Sequence, residues 1–262
     1  MSCCLEKISV LSMPTHAMSM HQAVAAITHD IAQAHHGYVC LGNVHMCMEA
    51  YDSVEFTQIL HQAQYLFADG RPIYWAQRLA GARHNQQIRG YDLMLALCEK
   101  AAADGIRVGL YGGSDQHLLF ALHQQLLQRF PKLQIVYSYA PPFFASQLPM
   151  DENALAVMTQ QQVQLLFVGL GCPKQERWMA LHQPQSHIMM VGVGAAFDFL
   201  AGYKRHAPKW MQVTGLEWFF RLAAEPNRLI GRYFKHNPRF LLHYTRQWFR
   251  QIFTTKQSRR ES

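Results

Sequence analysis

Residues 164–176 read Gln-Leu-Leu-Phe-Val-Gly-Leu-Gly-Cys-Pro-Lys-Gln-Glu. The apolar run Gln164–Val168 is short enough for a buried strand. Gly169-Leu170-Gly171 then turns the chain, and Pro173 suits the first position of a helix. A strand running through glycines into a helix is the unit of a parallel α/β sheet. The pattern recurs on both sides. Ile106–Tyr111 ends in Gly112-Gly113-Ser114, and His187–Val191 ends in Gly192-Val193-Gly194.

Working outward, Ser19–Gly37 reads as a helix with Val24, Ile27 and Ile31 on one face and glycine as its stop. Tyr38–Leu41 is a strand running into Gly42-Asn43. Val54–Leu66 has Phe56, Ile59, Leu60 and Ala63 at helical spacing. Asp69-Gly70 is a turn signal, with Pro72 opening the next helix. Tyr91–Ala103 is helical, and Leu118, Leu119, Leu122 and Leu126 mark another helix. Leu133–Tyr137 is a further strand before Pro141-Pro142. This alternation with uninterrupted apolar strands predicts a mostly parallel, Rossmann-like sheet with helices on both faces.

The 262 residues are half apolar, 16% charged and 12% aromatic, which excludes disordered and disulfide-stapled classes. The longest stretch free of strongly polar residues, Ile188–Phe197, is too short to cross a bilayer. Met1–Met20 lacks the basic start and apolar block of a secretory signal. Six cysteines show no CxxC pair, so they are expected as reduced thiols in the cytoplasm. The fifteen histidines are scattered and are assigned no metal.

Charge divides the chain in two. Residues 1–203 carry 11 Lys/Arg and 14 Asp/Glu, a net of −3; residues 204–262 carry 13 and 3, a net of +10. The expected organisation is an α/β core over 1–203 and a basic helical tail over 204–262. Thr214 and Glu217 have the spacing of a capping box, and Pro226 and Asn237-Pro238 suit fresh starts, so three helices are expected. In the last, Arg239, His243, Arg246 and Arg250 share one face, opposite Leu241, Tyr244, Trp248 and Ile252. Such a helix suits an anionic membrane surface; packing on the core or on a partner subunit is the plainer alternative. No RNP, KH or helix-turn-helix pattern supports a nucleic-acid partner.

In a parallel sheet, ligands bind at the carboxyl ends of the strands, where glycine lets backbone N–H groups approach a phosphate. None of the three glycine turns completes GxGxxG: Lys174 stands where the third glycine belongs. No GxxxxGK[ST] occurs.

In order along the chain stand Ala68-Asp69-Gly70-Arg71-Pro72, Ile88-Arg89-Gly90-Tyr91-Asp92-Leu93, Tyr111-Gly112-Gly113, Gly169–Glu176 and Gly192-Val193-Gly194-Ala195-Ala196-Phe197-Asp198. Ala207-Pro208-Lys209-Trp210-Met211, Gly215-Leu216-Glu217-Trp218 and Glu225-Pro226-Asn227-Arg228 follow. This series resembles the WecG/TagA/CpsF family of glycosyltransferases, from about Leu41 to Phe240. The resemblance implies an inverting transferase that moves a sugar, N-acetylmannosamine-type or a related hexose, from a UDP-sugar to a polyprenyl-pyrophosphate-linked sugar. It implies work at the inner face of the cytoplasmic membrane, for cell-surface polysaccharide synthesis.

The resemblance also implies roles. Asp69 is the catalytic base. Asn43 and Gln175 fall on family donor-site positions, and Gly112, Gly113, Gly169, Gly171, Lys174, Glu176, Gly194 and Asp198 join them as donor-binding candidates. Arg221 and Arg228, with Arg232 less closely aligned, face the leaving group, and Arg89 is a leaving-group or acceptor candidate. Two positions depart from the family pattern: Leu41 stands for a threonine and Gln87 for an arginine.

An inverting transfer needs a base for the acceptor hydroxyl and positive charge or N–H donors for the departing diphosphate. No D-x-D motif is present, so no metal is expected there, and glycine loops, helix N-termini and arginines would do that work. Each residue also has a plainer reading. Asp69 is a turn former, Asn43 a helix cap, Gln175 and Glu176 first-turn residues, and Asp198 a buried hydrogen-bonding carboxylate. A dinucleotide-dependent oxidoreductase and a non-enzymatic membrane-binding module are the rival functions. Homo-oligomerisation is open.

Overall fold

The structure is a computed structural model describing residues 7–142 and 150–258, with the backbone alone for Lys209, Gln212, Val213, Arg228 and 252–258. Cys3 and Cys4 therefore lie outside the described residues, as do the side chains of Arg228 and Ile252.

An antiparallel hairpin, β1 (Lys7–Val10) and β2 (Met13–His16), opens the chain. There follow α1 (Met20–Ala32), β3 (Gly37–Gly42), α2 (Val44–Asp52), α3 (Val54–Gln62), β4 (Tyr65–Ala68), α4 (Arg71–Leu79), α5 (Gly90–Asp104) and β5 (Arg107–Gly112). Then come α6 (Gln116–Arg129), β6 (Gln134–Tyr139), α7 (Glu152–Gln160), β7 (Leu165–Gly169), α8 (Lys174–His182), β8 (Met189–Gly192) and α9 (Ala196–Leu200). The tail forms α10 (Lys209–Thr214), α11 (Glu217–Ala224) and α12 (Pro226–Ser258).

The sheet runs β1-β2-β4-β3-β8-β7-β5-β6, parallel throughout except for the first hairpin. This is the expected α/β architecture. Strands buried on both faces read as unbroken apolar runs, and β3, β4 and β8 have every residue buried. One core layer packs α2, α3, α8 and part of α12 on one face, through Met46, Phe56, Trp178, Met179, Phe240 and Tyr244. The other packs α1, α5, α6 and α9 on the opposite face, through Ile27, Leu93, Leu122 and Phe197.

Between β5 and β7 the connections part. The α6 crossover leaves for β6 over one face; the α8 crossover leaves for β8 over the other. Such a divergence opens a crevice at the carboxyl ends of the strands. Gly112 and Gly169 line it in register. Gly112 has φ +118°, and a Cβ there would lie 2.7 Å from the Gly169 carbonyl carbon. A Cβ on Gly169 would lie 2.6 Å from the Phe197 ring. These glycines therefore serve close packing as well as turning.

Several local expectations are corrected. The helix expected over Val54–Leu66 ends at Gln62, and Tyr65–Ala68 is a fully buried strand. Its apolar residues continue the helix pattern, but Ala63 is extended and the backbone then joins the ladder of β3. The first helix stops at Ala32, capped by Gln33, and Gly37 begins β3. In the tail, Thr214 does not cap α11: it ends α10 and donates its hydroxyl to the Trp210 carbonyl at 2.8 Å, and Leu216 is the N-cap. The helix start expected at Asn237-Pro238 is also absent, because Pro238 lies inside the 33-residue α12. The tail thus has three helices with different boundaries.

The last helix does not oppose a free basic face to a free apolar one. Tyr244 is buried and donates to the Ala76 carbonyl at 2.7 Å. Arg239 pairs with both carboxylate oxygens of Asp52 at 2.6 and 2.9 Å, and His243 lies over Tyr51. Leu241, Leu242 and Phe249 remain exposed. No helix among the described residues is long and apolar enough to cross a membrane.

Candidate active site

Parallel strands bring their carboxyl ends to one edge, so the loops after β4, β3, β8, β7 and β5 stand side by side in that order. That edge gathers Asp69, Asn43, Gly194, Gly171–Glu176 and Gly113. Their order in the sequence is different, and only the sheet makes them neighbours.

Asp69 follows the last residue of β4. The Gly42 carbonyl accepts the N–H groups of both Asp69 and Gly70, at 2.9 and 3.1 Å, which locks this loop to the end of β3. Asn43 comes next in that strand's loop. It caps α2, accepting the Met46 N–H at 3.1 Å, and its Cα would be 3.2 Å from a Cβ on Gly70. The capping role expected on plain grounds is therefore real, and it places Asn43 against the Asp69-Gly70 turn.

One oxygen of Asp69 accepts the Gly90 N–H, the first residue of α5, at 3.3 Å. Gly90 cannot carry a side chain here: a Cβ would be 2.9 Å from the Val193 carbonyl oxygen. Gln87 donates to the Asp69 carbonyl at 2.6 Å. It holds the Asp69 backbone and brings no charge.

Burial pushes the Asp69 carboxyl up to about 6. Arg221 opposes that shift, Glu217 adds to it, and the Gly90 N–H and Arg89 oppose it. A carboxylate near the working pH is suited to proton abstraction. Arg221 is held in place by Glu217, by Asp69 and by the Phe199 ring, 5.2 Å from its guanidinium carbon. Against the cost of its burial, Glu217 and Asp69 keep Arg221 charged. Arg89 bonds Asp92 at 2.6 Å and lies 3.8 Å from Glu217. Glu217 thus links two arginines, one from α11 and one preceding α5, around Asp69.

The Gln175 side chain lies beneath the β8 loop. Its amide oxygen accepts the Gly171 N–H at 3.2 Å and its NH2 donates to Glu176 at 2.7 Å. A Cβ on Gly192 would be 2.9 Å from that NH2. Glu176 is wholly buried, and burial raises its carboxyl to about 7. Its other oxygen has no hydrogen-bond partner. Glu176 therefore supports Gln175 from inside the core and does not face the cleft.

Helices α4, α5 and α8 begin at this edge, and none has a side-chain N-cap bond. Their first N–H groups and dipoles favour an anion there. Lys174 opens α8. Asp198, on α9, pairs with Lys204 at 3.5 Å, and Lys204 also reaches Glu225 at 3.3 Å. That carboxylate ties the core to the start of the tail. Arg232, on α12, has a buried Nε without a hydrogen-bond partner and is close enough to His45 to lower its pKa. It stands with α2, while Arg221 stands with Asp69. The side chain of Arg228 lies outside the described residues.

The sequence reading passed over Glu217 as a site residue, treating it only as a cap. It also passed over His206, which stacks on Phe199 at 4.5 Å and meets Tyr91 edge-on at 4.3 Å, beside the same charges. The tail's placement brings Glu217 to Asp69, and although Glu217 stands in the Gly215-Leu216-Glu217-Trp218 stretch, that stretch does not mark the contact.

Residues 8–253 match the profile of the glycosyl transferase WecG/TagA/CpsF family. The chain is 28% identical over 194 residues to an N-acetylglucosaminyldiphosphoundecaprenol N-acetyl-beta-D-mannosaminyltransferase of Bacillus spizizenii, covering 73% of this chain and 72% of that one. It is 28% identical over 178 residues to the enzyme of the same name from Staphylococcus aureus, covering 68% and 67%. With nearly the whole described chain inside the match, this protein belongs to the WecG/TagA/CpsF family of glycosyltransferases.

Proposed function

We propose that this chain transfers an N-acetylmannosamine-type sugar, or a related hexose, from a UDP-sugar to a polyprenyl-pyrophosphate-linked sugar, with inversion at the anomeric carbon. The observation that carries the reading is the Asp69 carboxyl, raised to about 6 at the carboxyl edge of the sheet, with Arg221 beside it. The relatives' names, which specify an N-acetylglucosaminyl-diphosphoundecaprenol acceptor, support the acceptor class.

Asp69 takes the proton of the acceptor hydroxyl as that oxygen attacks the anomeric carbon. The bond from that carbon to the diphosphate breaks on the opposite face, and the nucleoside diphosphate leaves with the electron pair. Its developing charge is met by Arg221, by the open N–H groups of the helix N-termini and by the glycine loops. In this reading the leaving group needs no metal. Arg228 and Arg232 add charge from the tail. The tail's exposed Trp218, Phe219, Phe234 and Leu241 and its basic residues suit the inner surface of the cytoplasmic membrane, where a lipid-linked acceptor lies.

The test is UDP release from a panel of UDP-sugars, with and without a polyprenyl-pyrophosphate-sugar in vesicles. Acceptor-dependent release with one donor, lost in Asp69→Asn, is the expected result. Release that ignores the acceptor, or that survives Asp69→Asn unchanged, overturns the reading.

A further inference from the structure

Two histidines far apart in the sequence meet where the tail lies on the core. His45 and Glu49 are one turn apart on α2, and His236 projects from α12. The Nε2 atoms of His45 and His236 stand 3.6 and 3.9 Å from the same oxygen of Glu49. One ligand atom from each residue can be chosen so that all three lie within 4.8 Å of one another. The imidazole rings meet edge to face, with centroids 5.1 Å apart and planes 66° apart.

These separations are too long for good hydrogen bonds. They are close to those of ligands around one ion, since zinc–ligand bonds of about 2.0–2.2 Å place tetrahedral ligands roughly 3.4 Å apart. The other ring nitrogens, Nδ1 of both histidines, are buried and have no hydrogen-bond partner. His236 is only 4% exposed.

Glu49 supplies the anionic ligand. The neighbouring charges on these two helices are Asp52, Arg232, Lys235 and Arg239, and Asp52 and Arg239 neutralise each other as a two-bond pair.

We propose that His45, Glu49 and His236 form a divalent transition-metal site, of the kind zinc occupies, that clips the C-terminal helix onto α2. Two histidines and a carboxylate form a familiar zinc ligand set, which leaves a fourth position for water. The clip would fix the tail where it matters. Asn43 caps the start of α2, and α12 carries Arg232 one turn before His236. The proposal concerns tail docking and does not depend on the donor or the reaction assigned above.

The test uses the full chain, stripped with a chelator and titrated with zinc ion alone against a chromophoric competitor. One equivalent bound, with a rise in melting temperature and slower proteolysis of the tail, is expected. His45→Ala, His236→Ala and Glu49→Gln should each weaken binding about tenfold or more, while His117→Ala, an exposed histidine on α6, should bind as wild type. Absence of stoichiometric zinc in the wild type overturns the proposal, as does affinity unchanged in both His45→Ala and His236→Ala. If the alanine variants do not fold, cobalt binding to the wild type decides. The visible absorption of a low-coordinate nitrogen–oxygen site supports the clip, and a six-coordinate aquo-like spectrum sinks it.

Discussion

The carboxylate of Asp69 accepts the backbone N–H of Gly90 at 3.3 Å, joining the end of β4 to the first turn of α5. That bond fixes one carboxylate oxygen. Replacing Asp69 by Asn keeps a carbonyl to accept the N–H and removes the base. Transfer should fall by about 10²–10⁴-fold with the melting temperature nearly unchanged. A variant with near wild-type kcat would remove Asp69 from the chemistry.

The acid limb of kcat/KM follows from the same carboxyl. Only the ionised form takes a proton, so activity should rise with pH through about 6. Arg221 lowers that pKa and Glu217 raises it. The limb should therefore move to higher pH in Arg221→Ala and to lower pH in Glu217→Gln. Arg221→Ala should also lose roughly 10²-fold in rate through the leaving group. Limbs that stay put in both variants would show that neither charge reaches Asp69.

Glu176 makes an opposite kind of pH statement, about stability. Burial holds its folded pKa near 7, above its unfolded value. The folded state therefore binds the extra proton between about 4.5 and 7, and stability falls as pH rises through that window. Glu176→Gln, an uncharged side chain of the same shape, removes this loss. It should be more stable than wild type above neutrality, by on the order of 3 kcal/mol at most, and should show little gain at low pH. Denaturant melts at several pH values read this directly.

Gly112 and Gly169 test the crevice. At φ +118° and with the Gly169 backbone 2.7 Å from any Cβ, Gly112→Ala has both strain and collision to absorb. A loss of about 2–4 kcal/mol is expected. Gly171→Ala meets nothing within 4 Å and has only its positive φ to accommodate, so it should cost less. Equal losses in thermal unfolding would argue against close packing as the reason for Gly112.

Tyr244 measures how firmly the tail is seated. Its buried hydroxyl donates to Ala76. Tyr244→Phe removes that bond, while the Ala80 N–H still pairs the Ala76 carbonyl at 3.0 Å, and should cost about 1 kcal/mol. Hydrogen exchange should quicken first in α12 and leave the central strands protected.

Much of this was legible in the chain itself. Strands β5, β7 and β8 were readable because buried parallel strands are unbroken apolar runs closed by glycine. The basic tail was readable from charge alone. Strand β4 was not, since Tyr65-Leu66-Phe67-Ala68 continues the apolar spacing of the preceding helix, and only pairing with β3 makes it extended. The uninterrupted α12 was missed for a related reason. Pro238 is a helix-breaking signal locally, yet Leu229, Phe240 and Tyr244, on both sides of it, bury their side chains.

The sequence by itself determined the parallel α/β class, the glycine turns and the family, because these depend on local spacing and ordered motifs. Only the tertiary structure decided which distant residues meet. Glu217 and Arg221 reach Asp69, and His236 meets His45 and Glu49, because the tail folds back across the core. Contacts between segments more than a hundred residues apart leave no periodicity for a linear reading to find.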